Sequence, residues 1–176
     1  MESRMRRWFL IILACGLFGL IVRLSAQYPQ GIAGGAGFLS VNNASTEMAN
    51  IGTTYTQVTA FDTALNVGAN NLITCAADTD LCTINVAGAY LVAFQISFTG
   101  TAVSTFECAV FLNTDTELGA AEFRRKMGAS GDVGAASAFG VFVLAATNTL
   151  MLKCHGDTAG DDMTPTNVQL VVVRIG

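Results

Sequence analysis

Residues 89–98 alternate without interruption, with Tyr90, Val92, Phe94, Ile96 and Phe98 in one set and Ala89, Leu91, Ala93, Gln95 and Ser97 in the other. A period of two is that of a β-strand, whose successive side chains leave on opposite faces. The aromatic set belongs in a core, where burying five such side chains stabilises by on the order of 10 kcal/mol before entropy is charged. The other set is small and apolar at Leu91 and Ala93, unlike the polar outer face of an ordinary sandwich. Residues 137–143 repeat the pattern, Ser137, Phe139, Val141 and Val143 alternating with Ala138, Gly140 and Phe142. A sheet that is apolar on both sides needs a second surface to cover it. No segment has the helical period to supply one in the same chain, so closure of identical subunits about a symmetry axis is expected.

β-Branched and aromatic runs between clusters of Gly, Asn, Asp and Thr predict strands near 38–41, 55–61, 72–75, 82–86, 89–98, 104–113, 119–127, 134–146, 149–155 and 167–175. Ten short strands imply an all-β sandwich of two sheets. With 52% hydrophobic and 12% charged residues the chain is too apolar for disorder.

Part of that apolar excess is one block, Trp8 to Val22, preceded by Arg4, Arg6 and Arg7 and followed by Leu24-Ser25-Ala26. The arrangement is that of an export signal forming an apolar helix, with cleavage expected after Ala26. Its 15 residues fall short of the ~20 that cross a bilayer unaided. An uncleaved membrane anchor is the alternative reading. A lipoprotein site at Ile12-Leu13-Ala14-Cys15 ranks last, because the apolar run continues past the Cys to Val22. Residues 27–37 form a Gly-rich linker without the three-residue period of collagen, leaving 38–176 as one domain.

Without the leader the chain holds five Lys and Arg against twelve Asp and Glu, a balance that argues against nucleic acid as a partner. The basic run Arg124-Arg125-Lys126 reads as an exposed strand end. Four cysteines remain beyond the leader, an even number that suits an oxidising compartment. Cys75 and Cys82 flank the polar turn 76–81, so a disulfide closing that hairpin is expected. Cys108 and Cys154 then either pair with each other or stay reduced. No spacing is that of a zinc site or a redox Cys-x-x-Cys.

Catalytic signatures are missing. His155, the single histidine, suggests a general base, but no nucleophile elbow, metalloprotease helix, phosphate loop or dinucleotide fingerprint accompanies it. No enzymatic activity is expected. The acidic stretches Asp78-Thr79-Asp80 and 157–162, the latter with Asp157, Asp161 and Asp162, offer oxygen ligands to calcium without the spacing of a calcium loop. Solvated turns are the expectation, and no other cofactor is suggested. Asn43-Ala44-Ser45 is a glycosylation acceptor only in a eukaryotic secretory route.

The segment Gly88-Ala89-Tyr90-Leu91-Val92-Ala93-Phe94-Gln95-Ile96-Ser97-Phe98-Thr99-Gly100, following Val86, resembles the Gly-x-Tyr strand of the tumour necrosis factor and complement component 1q superfamily. Gly140-Val141-Phe142-Val143-Leu144 with Leu150-Met151-Leu152-Lys153 is similar to its Gly-Val-Phe-x-Leu strand pair, and Val168–Ile175 to its last strand. The likeness runs from about residue 38 to 176. It implies a ten-stranded jelly roll assembled as a homotrimer, with Leu91, Ala93, Gln95, Phe139, Val141 and Val143 lining the subunit contact. It also implies that the strands of Cys108 and Cys154 are neighbours, within reach of a disulfide, and that calcium can sit near the axis in some members. Val92 stands where the complement branch prefers Phe, and Ala93 where tumour necrosis factor has an aromatic, so a less aromatic contact is expected.

Two functional classes follow. One is a secreted, trimeric binding module whose rim loops (99–104, 114–118, 128–132 and 156–166) recognise an extracellular protein or glycan. The other is a structural head or knob of a surface layer, appendage or virus particle, membrane-anchored if the N-terminal segment is retained.

Overall fold

The computed structural model describes residues 35–42, 47–59, 61–67, 72–129 and 132–176. The expected leader and apolar helix (1–26), the linker up to residue 34, and Asn43-Ala44-Ser45 lie outside the described residues. Eleven strands appear among them: β1 (Ala36–Asn42), β2 (Thr56–Gln57), β3 (Thr63–Val67), β4 (Ile73–Ala76), β5 (Leu81–Ile84), β6 (Gly88–Gly100), β7 (Thr105–Leu112), β8 (Thr116–Lys126), β9 (Val133–Leu144), β10 (Thr149–Gly156) and β11 (Met163–Arg174). Ten lie on two antiparallel sheet paths, β3-β1-β11-β6-β9 (inner) and β4-β5-β10-β7-β8 (outer), while the two-residue β2 hangs on β10. This is the all-β, two-sheet sandwich that the strand pattern implied, with the jelly-roll architecture that the resemblance implied.

Two details depart from the expected strands. The span 55–61 is strand only at Thr56–Gln57, because the chain there leaves the outer sheet, with Val58 N–H donating to Leu152 O and Phe61 N–H to the Asp80 carboxylate. It then enters the inner sheet as β3, a strand the sequence reading missed. The first strand begins at Ala36, inside the stretch assigned to the linker.

The core lies between the sheets. Tyr90, Val92, Phe94, Ile96 and Phe98 of β6 are all buried there with Leu39, Val168, Leu170 and Val172 from the inner sheet and Phe106, Val110, Leu150 and Leu152 from the outer. Phe98 and Phe106 meet edge to face at 5.6 Å between ring centroids, the arrangement favoured by the aromatic quadrupole. The Phe98 ring lies so close over Gly134 that a Cβ there would come within 2.6 Å of it.

Both disulfides are formed between directly opposed residues of neighbouring strands. Cys75–Cys82 staples β4 to β5, and Cys108–Cys154 staples β7 to β10 inside the core.

Candidate functional site

Register across the inner sheet lines up its outward side chains in rows, because directly opposed residues of antiparallel strands share a face. One row reads Leu65, Phe38, Val171, Ala93, Phe139 across all five strands. Beside it runs Ala36, Val173, Leu91, Val141, with Val143 beyond. The next row in the other direction is Thr63, Ser40, Gln169, Gln95, Ser137, followed by Asn167, Ser97, Ala135. The face is therefore apolar over one half and polar over the other, and no Asp, Glu, Lys or Arg stands in any of these rows.

All six residues expected at a subunit contact fall on this face. Phe139, Val141 and Val143 are 71%, 60% and 88% exposed, far more than a large apolar residue in an edge strand of a covered sheet would be. Leu91 and Ala93 are half-buried by their neighbours and Gln95 is exposed. Phe38, unmarked in the sequence reading, brings a second ring into the row of Ala93 and Phe139. Two shallow depressions mark the surface, one of about 330 Å3 along Leu91, Ala93, Phe139 and Val171 and one of about 430 Å3 along Gln95, Ser97, Ala135 and Ser137.

The loops do not share one rim. Those at 101–104, 127–129 and 157–162 gather with 48–52 at the polar end of the inner face: Thr101 N–H donates to Asp162 O, Val103 N–H to Gly128 O, and Ile51 N–H to Asp161 O. The turn at 113–115 lies at the opposite end, where Asn113 accepts from Thr149 N–H beside 145–148, so residues 114–118 leave the expected set. The hairpin between β7 and β8 turns at the end away from the β6–β7 and β8–β9 loops, as antiparallel neighbours must.

The three acidic candidates for calcium point to separate donors. Asp161, buried, accepts from Ser104 Oγ at 2.6 Å and Thr158 N–H at 3.0 Å. Asp157 accepts from Thr105 N–H, which with the Thr105 side chain holds its carboxyl below the usual range, and Asp162 accepts from Asn50 N–H. Among the described residues the acidic oxygens that do converge belong to Glu107, Glu117 and Glu122, on the outward face of the outer sheet.

That second cluster was not anticipated. Glu117 and Glu122 are an odd number apart and would face opposite ways in a regular strand, but a register shift between Ala109 and Phe111 turns both outward. Burial raises the Glu122 carboxyl, and hydrogen bonding to Glu117 and the charges of Glu107 and Glu117 add to the rise. Tyr55 lies across the same face with its ring 4.7 Å from Phe111 and 4.4 Å from His155. His155 Nδ1 donates to Gly156 O, which as a carbonyl can only accept, and Nε2 faces Glu107 at 3.5 Å. The histidine is thus held between the Tyr55 ring, the Glu107 carboxylate and the Gly156 carbonyl. Arg124 adds its guanidinium 3.6 Å from Glu107, and Arg125 lies 4.0 Å from Asp132.

No family model and no curated protein matches the sequence. Solved structures match the fold. The Eiger tumour necrosis factor of S. frugiperda superposes with a TM-score of 0.57 at 15% identity, over 81% of this chain and 92% of that one. Murine APRIL at pH 5.0 gives 0.54 at 14%, over 80% and 99%. The globular domain of zebrafish complement 1qA gives 0.51 at 16%, over 77% and 94%. The chain has the jelly-roll fold of these tumour necrosis factor-like and complement 1q-like domains, as the motifs of β6, β9 and β11 implied.

Proposed function

We propose that this jelly roll is a secreted, non-enzymatic recognition module that works as a homotrimer, with the inner-sheet face closed against two sister copies. The observation that carries the reading is the pair of apolar rows ending in Phe139 and Val141, open to solvent on an acidic chain. Copies that carry a net negative charge meet at least electrostatic cost through a face with no charged residue, whereas the outward face of the outer sheet carries Glu107, Glu117, Glu122, Arg124 and Lys153. Five strands about 4.8 Å apart and seven residues of about 3.3 Å each make a face of roughly 500 Å2 before side-chain relief, near the scale of a stable interface at ~800 Å2 per partner.

The described chain enters at the apolar end, where Arg174 N–H donates to Gly35 O. The gathered loops 48–52, 101–104, 127–129 and 157–162 lie at the far end of the same sheet. They are the surface assigned to an extracellular protein or glycan. Light scattering of the native particle tests the assembly: three copies per particle support it, and a lone subunit at high concentration defeats it. Mass spectrometry of the N-terminus separates the secreted module, beginning at Gln27, from a structural head retained with Met1 in a membrane or particle fraction.

A further inference from the structure

The two halves of the inner face pose different problems to an assembly. Apolar rows attract without direction, so Leu91, Ala93, Phe139, Val141 and Val171 would tolerate sliding and more than one subunit number. A carboxamide brings two N–H donors and an acceptor, and each that is buried unpaired costs its full desolvation. Gln95 and Gln169 are opposed on β6 and β11 in the first polar row beyond the apolar ones. Gln95 Nε2 donates to Gln169 Oε1 at 3.4 Å, which leaves donors and an acceptor of the pair to be met from outside the subunit. Ser40 and Ser137 flank the pair in the same row.

We propose that Gln95 and Gln169 select the subunit number, their carboxamides from each copy closing a hydrogen-bonded ring at one level of the axis. This rests on the trimer reading of the same face. A single polar layer within an apolar seam is an established way of choosing register and copy number at some cost in stability. Only one copy number and one height bring every carboxamide to a partner, so the apolar rows supply attraction and this row supplies the choice.

Native mass spectrometry of the full chain carrying Gln95→Leu and Gln169→Leu together tests this against wild type. The expected result is a wild type of three copies only and a variant with at least a tenth of its mass in other copy numbers. A variant of three copies only overturns the assignment while leaving the trimer intact, whereas a wild type of lone subunits removes the trimer and this inference with it. Gln95→Glu gives a second readout should the double variant aggregate. Protonated Glu matches Gln in shape and charge, so this variant is expected to associate at least tenfold more weakly at pH 7.5 than at pH 4.5, beyond any change in wild type. Equal association of Gln95→Glu at both pH values overturns the ring.

Discussion

Tyr55 reaches over the outer sheet from the segment before β2 and donates its hydroxyl to Glu107 Oε1 at 2.5 Å. The contact ties a crossing segment to the middle of β7. Burial alone would raise the Glu107 carboxyl, but hydrogen bonds from Tyr55 and His155, with the charges of His155 and Arg124, outweigh it and hold it below the usual 4.5. A depressed carboxyl stabilises the fold above its unfolded value and loses that contribution as pH falls through the folded one. Tyr55→Phe should therefore cost about 2 kcal/mol near neutral pH. The gap in melting temperature between variant and wild type should narrow as pH falls out of the ordinary carboxylate range and through the depressed value, where Glu107 takes up a proton in both. Thermal melts across pH 3–7 check it, and a gap that is constant in pH would mean that packing of the ring, and not the hydrogen bond, carries the contact.

Glu122 has the opposite sign. Burial, the hydrogen bond with Glu117 and repulsion from Glu107 and Glu117 raise its carboxyl above the usual 4.5, so the fold loses stability as pH rises from the ordinary carboxylate range through the raised value. Glu122→Gln removes one of three converging charges. The variant should be stabler than wild type at pH 7 by roughly 0.5 kcal/mol, a figure discounted for solvent screening, and should show no gain at pH 4. Urea denaturation at the two pH values measures the difference. Destabilisation at pH 7 would show that the carboxylates are needed there.

How much of this was readable from the chain depends on whether the cause was local. The β6 face pattern needs only residues 89–98, and the Cys75–Cys82 hairpin only the turn between them, so both could be read directly. The strand β3 (TALNV) offers only Leu65 and Val67 as large apolar residues in five and is strand because β1 lies beside it, which no local propensity records. Tyr55, Glu107 and His155 come from three strands or segments dozens of residues apart. Their meeting depends on the pairing of β7 with β10, where His155 stands opposite Glu107. The convergence of Glu117 and Glu122 depends on a bulge, and strict alternation assigns them to opposite faces. Alternation did reveal the apolar patch, because that signal repeats within each of the two strands that carry most of it.

The two disulfides should differ in worth. Cys108 and Cys154 are 46 residues apart and Cys75 and Cys82 only seven. In the chain-entropy treatment the longer loop restrains the unfolded chain by about 4 kcal/mol and the shorter by about 2.4 kcal/mol. Replacing Cys108 and Cys154 together by Ala should thus lower the unfolding free energy more than replacing Cys75 and Cys82, and the removal of buried sulfur atoms from the core adds to the loss. Chemical denaturation of the two double variants ranks them. Four titratable thiols in the unreduced native protein would show that neither bond forms.

Val141→Asp separates folding from assembly. Val141 is 60% exposed on the single subunit, in an edge strand with Leu91 opposite on β6, so a carboxylate there stays hydrated in the monomer and should change its stability by about 0.5 kcal/mol or less. Three such charges brought into one dry contact would each need desolvation with no cation among the neighbouring rows to pair with, a cost of several kcal/mol apiece. Light scattering should accordingly report single subunits whose circular dichroism and thermal melt remain those of a folded β-sandwich, and Leu91→Asp, deeper in the same row, should give single subunits or aggregate. Particles of three copies from both variants would place the contact on another surface, since no arrangement that buries the rows of Leu91 and Phe139 leaves Val141 in water.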